Sequence, residues 1–189
     1  MKKSIGSKAL IYPSPDWCVG SYNKDGKPNV MTASWGGICC SKPPAVTISL
    51  RKATYTYNNI METKAYTVSV TSKNYAREAD FFGLTSGKKT NKFKKTGLTP
   101  ARADKVHAPY VYEFPMVIEC KVIHTLEIGL HTQFIGEILD VKVNEAILGE
   151  GGLPEMIKLS PILYAAESRT YYGVDGFIGK AYSLGKAIK

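Results

Sequence analysis

No apolar run in the 189 residues approaches the roughly 18 that a membrane-crossing helix needs, so a membrane protein is not expected. The opening Met1-Lys2-Lys3-Ser4-Ile5-Gly6-Ser7 lacks the apolar stretch of a secretory leader, which makes a cytoplasmic protein the default expectation. Cysteine is scarce: Cys18, Cys39, Cys40 and Cys120, with no CxxC pair. Zinc ribbons and thioredoxin-like redox motifs therefore lack their ligand spacing, and reduced, mostly buried thiols are expected. The three histidines form no HExxH pattern, and no metal site is expected. A GxGxxG fingerprint is missing as well. Gly83-Leu84-Thr85-Ser86-Gly87-Lys88-Lys89 comes near a P-loop. It has three residues between its glycines instead of four, and Lys89 where a hydroxyl would hold magnesium. No acid–base dyad or nucleophile stands out.

What is present describes a folded chain. Hydrophobic residues make up 44% and charged residues 22%, near the average for a globular domain. The net charge of +9 is uneven. Residues 1–105 hold 18 Lys+Arg and 6 Asp+Glu, a net of +12, whereas residues 106–189 hold 7 and 10, a net of −3. Such asymmetry suggests a basic surface facing an anionic partner, against the plainer reading of a solvated lysine-rich face.

Strand signals dominate. Ala45–Arg51 and Tyr66–Thr71 alternate apolar and polar residues with the period of a half-buried strand. Trp17–Tyr22 and Val30–Ser34 flank an Asp25-Gly26 turn and predict a hairpin. Met116–Leu126 and Gln133–Val143 predict a second hairpin, and Leu163–Tyr172 a further strand. Helices are predicted at Thr54–Thr63, at Asn74–Phe82 with Asn74 as cap, and at Thr90–Lys95. The glycine-rich segment after Gly173 reads as a loosely held tail. Strands at hairpin spacing with inserted helices predict a mainly β fold with α additions, an antiparallel barrel.

Four segments can carry chemistry. Asn29–Gly37 is a strand running into Thr32, Ser34, Trp35 and two glycines. Its hydroxyls and small residues allow close approach to a flat ligand, or else form a glycine turn. Ser49–Thr56 delivers Ser49 and Arg51 on one strand face beside a helix start, which suits a phosphate or is simply a capped junction. Ser86–Lys92 combines a hydroxyl, a glycine and three lysines, an anion site or an exposed loop. His131 opens a strand, where it faces a site or serves as a structural hydrogen-bonding group.

Those segments stand in the order of the flavin reductase-like, FMN-binding split-barrel proteins, and the chain resembles their flavoredoxin and archaeal ferric-reductase type. Asn29–Trp35 is similar to the family's N-x-x-T-x-x-W segment. Ser86–Phe93 is similar to its S-G-[KR]-x-x-x-K-[FW] loop, and His131–Glu137 to its H-x-x-[FI]-x-G-E strand. The resemblance covers about Ile11 to Tyr172 and implies one FMN-binding split β-barrel domain of Greek-key-like antiparallel strands, with residues 173–189 as a tail.

By that resemblance Asn29, Met31, Thr32, Ala33, Ser34 and Trp35 lie against the flavin ring or ribityl chain. Ser49, Leu50, Arg51 and Thr56 hold ribityl and phosphate. Ser86, Gly87, Lys88 and Lys92 close the phosphate side. His131 is the candidate catalytic residue, near the ring where a nicotinamide stacks. Thr90-Asn91 departs from relatives that carry an acid there. The implied function is electron transfer through bound FMN, from NAD(P)H or a reduced protein donor, to a flavin, ferric iron or a redox protein. The alternative is a non-enzymatic FMN electron carrier docking an acidic partner such as ferredoxin. A homodimer is also implied. A nucleic-acid-binding barrel ranks last, because the lysines cluster without interleaved aromatics other than Phe93.

Overall fold

The computed structural model describes residues 1–188. The chain runs through β1 (Ser14–Pro15), β2 (Trp17–Tyr22), β3 (Pro28–Ala33), β4 (Gly36–Ser41), β5 (Pro44–Arg51), helix α1 (Tyr55–Thr63) and β6 (Ala65–Val70). A 3-10 turn at Lys73–Tyr75 leads into α2 (Ala76–Leu84), then α3 (Lys92–Thr96), β7 (Pro100–Arg102) and β8 (Pro109–Val111). Two long strands follow, β9 (Met116–Ile128) and β10 (His131–Val143). A short helix α4 (Met156–Leu159) and the small strands β11 (Leu163–Ala165) and β12 (Thr170–Tyr172) complete the fold.

Seven strands form one antiparallel sheet in the order β3-β2-β6-β9-β10-β5-β4. Its two edge strands, β3 and β4, are consecutive in the chain and are joined only by Ser34 and Trp35. The sheet is thus a barrel split between neighbours, pinned where the Ser49 amide donates to the Trp35 carbonyl at 2.8 Å. On β5 the predicted alternation decides which side faces in. Val46, Ile48 and Leu50 are buried, Thr47 and Ser49 half-buried, and Arg51 exposed.

The core has two parts. Inside the barrel Val19, Ile48, Tyr66, Val68 and Phe134 pack together. Outside it, α2 and α3 cover β2 and β3 with Phe82, Phe93 and Phe114 around Cys18 and Val30. Strand β2 is therefore buried on both faces, Cys18 outward and Val19 inward. Each buried phenylalanine contributes about 1.5–3 kcal/mol by leaving water.

Several expectations need correcting. Gly36 and Gly37 form no turn but open β4, which pairs with β5. Glycine is required at 36 because a Cβ there would sit 2.6 Å from the Trp17 ring and 2.8 Å from the Thr47 carbonyl. On that edge strand Cys39 and Cys40 are exposed; only Cys18 and Cys120 are buried. Leu163–Tyr172 is a hairpin of two short strands, not one strand. Asn74 caps nothing. Ser72 accepts from the Asn74 amide at 3.3 Å to cap the 3-10 turn, and α2 runs past Gly83 to Leu84. Helix α3 starts at Lys92, with Asn91 accepting from the Lys94 amide at 3.0 Å. The β9–β10 hairpin is longer than predicted and turns on Gly129-Leu130 alone. The described part of the tail is mostly exposed, with a 3-10 turn at Leu184–Ala187.

Candidate functional site

A cavity of about 330 Å³ opens where β3, the β5–α1 junction and the segment after α2 meet. Local chemistry sets each wall. Strand β5 ends at Arg51, and the Thr54 hydroxyl fixes that end. It donates to the Arg51 carbonyl at 2.9 Å and accepts from the Tyr57 amide at 3.3 Å, capping α1. The Arg51 side chain leaves the sheet there and lines the cavity. In the first turn of α1, Thr56 is buried, and its hydroxyl accepts from the Asn29 carboxamide at 2.8 Å. Asn29 is thereby held in one orientation on β3.

The opposite wall is Ser86-Gly87. A Cβ at Gly87 would overlap the Asn29 carboxamide and lie 2.7 Å from the Tyr55 ring, so only glycine lets this loop close so tightly. The floor is Lys92, only 4% exposed. Its ammonium donates to the carbonyls of Val30 at 2.8 Å and Phe82 at 2.7 Å, tying β3 to α2. No carboxylate pairs with it among the described residues. Burial pushes its pKa down to about 8. An ammonium has three N–H groups, so one remains for a ligand. Neither this cavity nor the hollow beside it is lined by an Asp or Glu.

Of the residues proposed from sequence, Asn29, Met31, Arg51, Thr56, Ser86, Gly87 and Lys92 come together in this cavity. Lys88 lies instead in an adjoining hollow of about 320 Å³ with Lys27 and Lys89. Thr32 turns toward α2, where its hydroxyl donates to the Ala79 carbonyl. Ala33 and Leu50 belong to the barrel core. Ser49 is half-buried and bonded through its amide to Trp35. Ser34 and the 38% exposed Trp35 line a separate hollow of about 390 Å³ against residues 8–15. His131 is half-buried and pairs directly across from Arg51 on β10, next to the cavity's cationic rim.

Tyr55, Phe82 and Thr85 also line the cavity and were not nominated. Tyr55 stood inside a quoted segment, beside the helix start. Phe82 carried no signal, because its helix also buries Ala79 and Phe82 in the outer core.

A split antiparallel barrel with a cationic, carboxylate-free cavity beside its α1 junction defines a class of ligand-binding domain. The comparisons go further: the flavin reductase like domain family matches residues 9–173, and the chain belongs to that family. The flavoredoxin of Desulfovibrio vulgaris (Miyazaki F) is 53% identical and superposes with a TM-score of 0.94, covering 98% of this chain and 100% of that one. A flavoredoxin from Methanosarcina acetivorans, 28% identical, superposes over the whole of both chains with a TM-score of 0.92. A ferric-chelate reductase (NAD(P)H) of Archaeoglobus fulgidus is 33% identical over 104 residues, 54% of this chain and 60% of that protein.

Proposed function

We propose that this chain is an FMN-binding flavoprotein that passes electrons from NAD(P)H or a reduced protein donor to an acceptor. The observation that carries the reading is the cavity's uncompensated charge. Arg51 and Lys92 face it with no carboxylate among its walls, and Lys92 keeps an N–H to spare. Two cations match a phosphate monoester of about two negative charges.

The remaining walls suit the rest of FMN. The Asn29–Thr56 pair and Ser86 offer hydroxyl and amide groups for a polyhydroxy chain. Met31 and Tyr55 offer apolar and aromatic surface for a flat ring. Trp35 lies in the separate hollow against residues 8–15, and His131 stands across from Arg51 on β10. Bound FMN would supply the redox chemistry, accepting a hydride or two electrons and releasing them to the acceptor. The chain's own part is to bind and orient. Arg51 anchors the anionic end, the Asn29–Thr56 bond fixes the wall, and Gly87 lets the loop close.

Saturable FMN binding at micromolar concentration, followed by flavin fluorescence, is the expected result; a protein that stays colourless and unsaturated refutes the proposal. Anaerobic mixing with NADPH, NADH and reduced ferredoxin in parallel separates the reductase from the carrier. The 53% identity to a protein named flavoredoxin keeps the carrier as the second reading.

The homodimer belongs to the same proposal. Strand β6 reaches only as far as Lys121 on β9, so the outer half of β9 has no partner strand on that side among the described residues. Ile123, Leu126 and Ile128 are exposed there, a surface that a second copy would cover. Light scattering that finds only monomer at micromolar concentration would remove the dimer.

A further inference from the structure

The hollow lined by Lys27, Lys88 and Lys89 has no part in the cavity just described, yet it opens directly beside it. The two share four walls, Asn29, Tyr55, Gly87 and Lys92. Lys27, Lys88 and Lys89 are exposed and make no ion pair among the described residues. No carboxylate lines the hollow. Three lysines thus line one concavity that has no carboxylate among its walls. The phosphate of FMN does not require them, since Arg51 and Lys92 already match its charge.

We infer that this hollow is a second anion site, which takes the adenosine-end phosphates of a dinucleotide electron donor, with preference for NADPH over NADH. The inference rests on the FMN reading of the neighbouring cavity and adds the donor to it. Three features select a nucleotide over the surface of an acidic protein. The site is a concavity of about 320 Å³, a ligand-sized volume. It adjoins the proposed cofactor cavity and shares four of its walls, so a ligand held there by its phosphates lies beside the flavin site. Tyr55 offers an aromatic face to both spaces, against which a base or nicotinamide can stack. A 2′-phosphate adds charge where the lysines stand, and that charge separates NADPH from NADH. In the reaction the hydride leaves nicotinamide C4 with its electron pair and goes to the flavin, so the donor becomes NADP⁺ and the flavin is reduced.

The test uses full-length protein loaded with FMN, and 2′,5′-ADP as the probe. Calorimetry at low salt should give saturable binding while FMN stays bound. The Lys27→Ala/Lys89→Ala variant should weaken that binding about tenfold or more, the effect expected of two unshielded cations near a phosphate. It should lower kcat/KM for NADPH more than for NADH, because only NADPH carries the 2′-phosphate. Both lysines are exposed, so circular dichroism should show a folded variant.

Absence of saturable binding, or equal binding by the variant, overturns the inference. Release of FMN by 2′,5′-ADP also overturns it, because the two phosphates would then share one cradle. If FAD binds more tightly than FMN and the variant abolishes the difference, the adenylate belongs to the cofactor and the donor assignment falls. If the variant slows reduction by ferredoxin and not by NADPH, the lysines form a protein-docking face instead. A wild type that binds no FMN removes the cofactor reading and the donor with it, and flavin fluorescence reads that failure separately.

Discussion

Asp16 offers a sharp test of the energetics. It sits between β1 and β2, 1% exposed, and neither carboxylate oxygen has a hydrogen-bond partner among the described residues. Burial pushes its pKa up to about 7, and the nearby Asp80 carboxylate pushes the same way. In the unfolded chain the group titrates near the ordinary value of about 3.9. The folded state therefore holds the proton more tightly. Its contribution to stability is fully present below pH ~4 and is lost as pH rises through ~7. A gap of about three pKa units corresponds to roughly 4 kcal/mol, of which about 3 kcal/mol falls between pH 5 and pH 8. Asp16→Asn removes the titration and keeps the shape. Urea unfolding of both proteins at pH 5 and pH 8, followed by tryptophan fluorescence, isolates the effect as a difference of differences. Relative to wild type, the variant should gain about 3 kcal/mol on going from pH 5 to pH 8. An unchanged difference between the two proteins would show that Asp16 is not a buried, unpaired carboxyl, and the account of that corner of the fold would be wrong.

Other substitutions address the cavity and the far side of the barrel. Arg51→Ala should weaken FMN binding by about 1.5–3 kcal/mol, the range for a charge-assisted hydrogen bond, with the melting temperature unchanged because Arg51 is exposed. Gly87→Ala should weaken FMN binding more than it destabilises the fold, since its methyl intrudes on Asn29 and Tyr55 at the cavity wall; fluorescence titration and a thermal melt compare the two. Glu119→Gln should destabilise the protein by about 1–3 kcal/mol, as it takes a buried carboxylate from the Asp104 and Lys105 amides and one of two carboxylates from Lys142, which keeps Asp104. Burial pushes the Glu119 carboxyl up, but the Lys142 ammonium and the amides of Lys105 and Asp104 outweigh it, and its pKa ends below the usual range. That contribution is present above pH ~4.3 and lost as pH falls through the folded pKa, so the variant should flatten the acid limb of an unfolding profile.

Much of the barrel was legible because its strands are half-buried. Period-two alternation located β5 and β6 within a residue or two, and the Asp25-Gly26 turn located the first hairpin. Strand β4 was not legible. Gly36-Gly37 has the composition of a turn, and only the approach of Trp17, distant in sequence, explains why a strand needs glycine there. The site divides along the same line. Arg51 and Gly87 follow from local chemistry, a strand end beside a helix cap and a loop that must close. The direction taken by Thr32 and Lys88 depends on how α2 and the 86–90 loop fold back over β3, which no local pattern encodes.

Lys92 and Asp16 together show where stability and binding diverge. Both are buried ionisable groups, one basic and one acidic, and neither has an oppositely charged group as a direct partner among the described residues. They flank Cys18, whose thiol feels both charges and is itself pushed up to about 12, first by burial. A fold shaped for stability alone would bring them into contact or replace both with apolar residues, since an unpaired buried charge is costly. Here the cation is instead held by two carbonyls at the floor of a cavity with no carboxylate in its walls. An arriving phosphate then meets a charge already desolvated and fixed in place, so little of the attraction is lost to reorganisation. On the proposed reading, the stability that the chain gives up at Lys92 would be offset by an anion bound in that cavity.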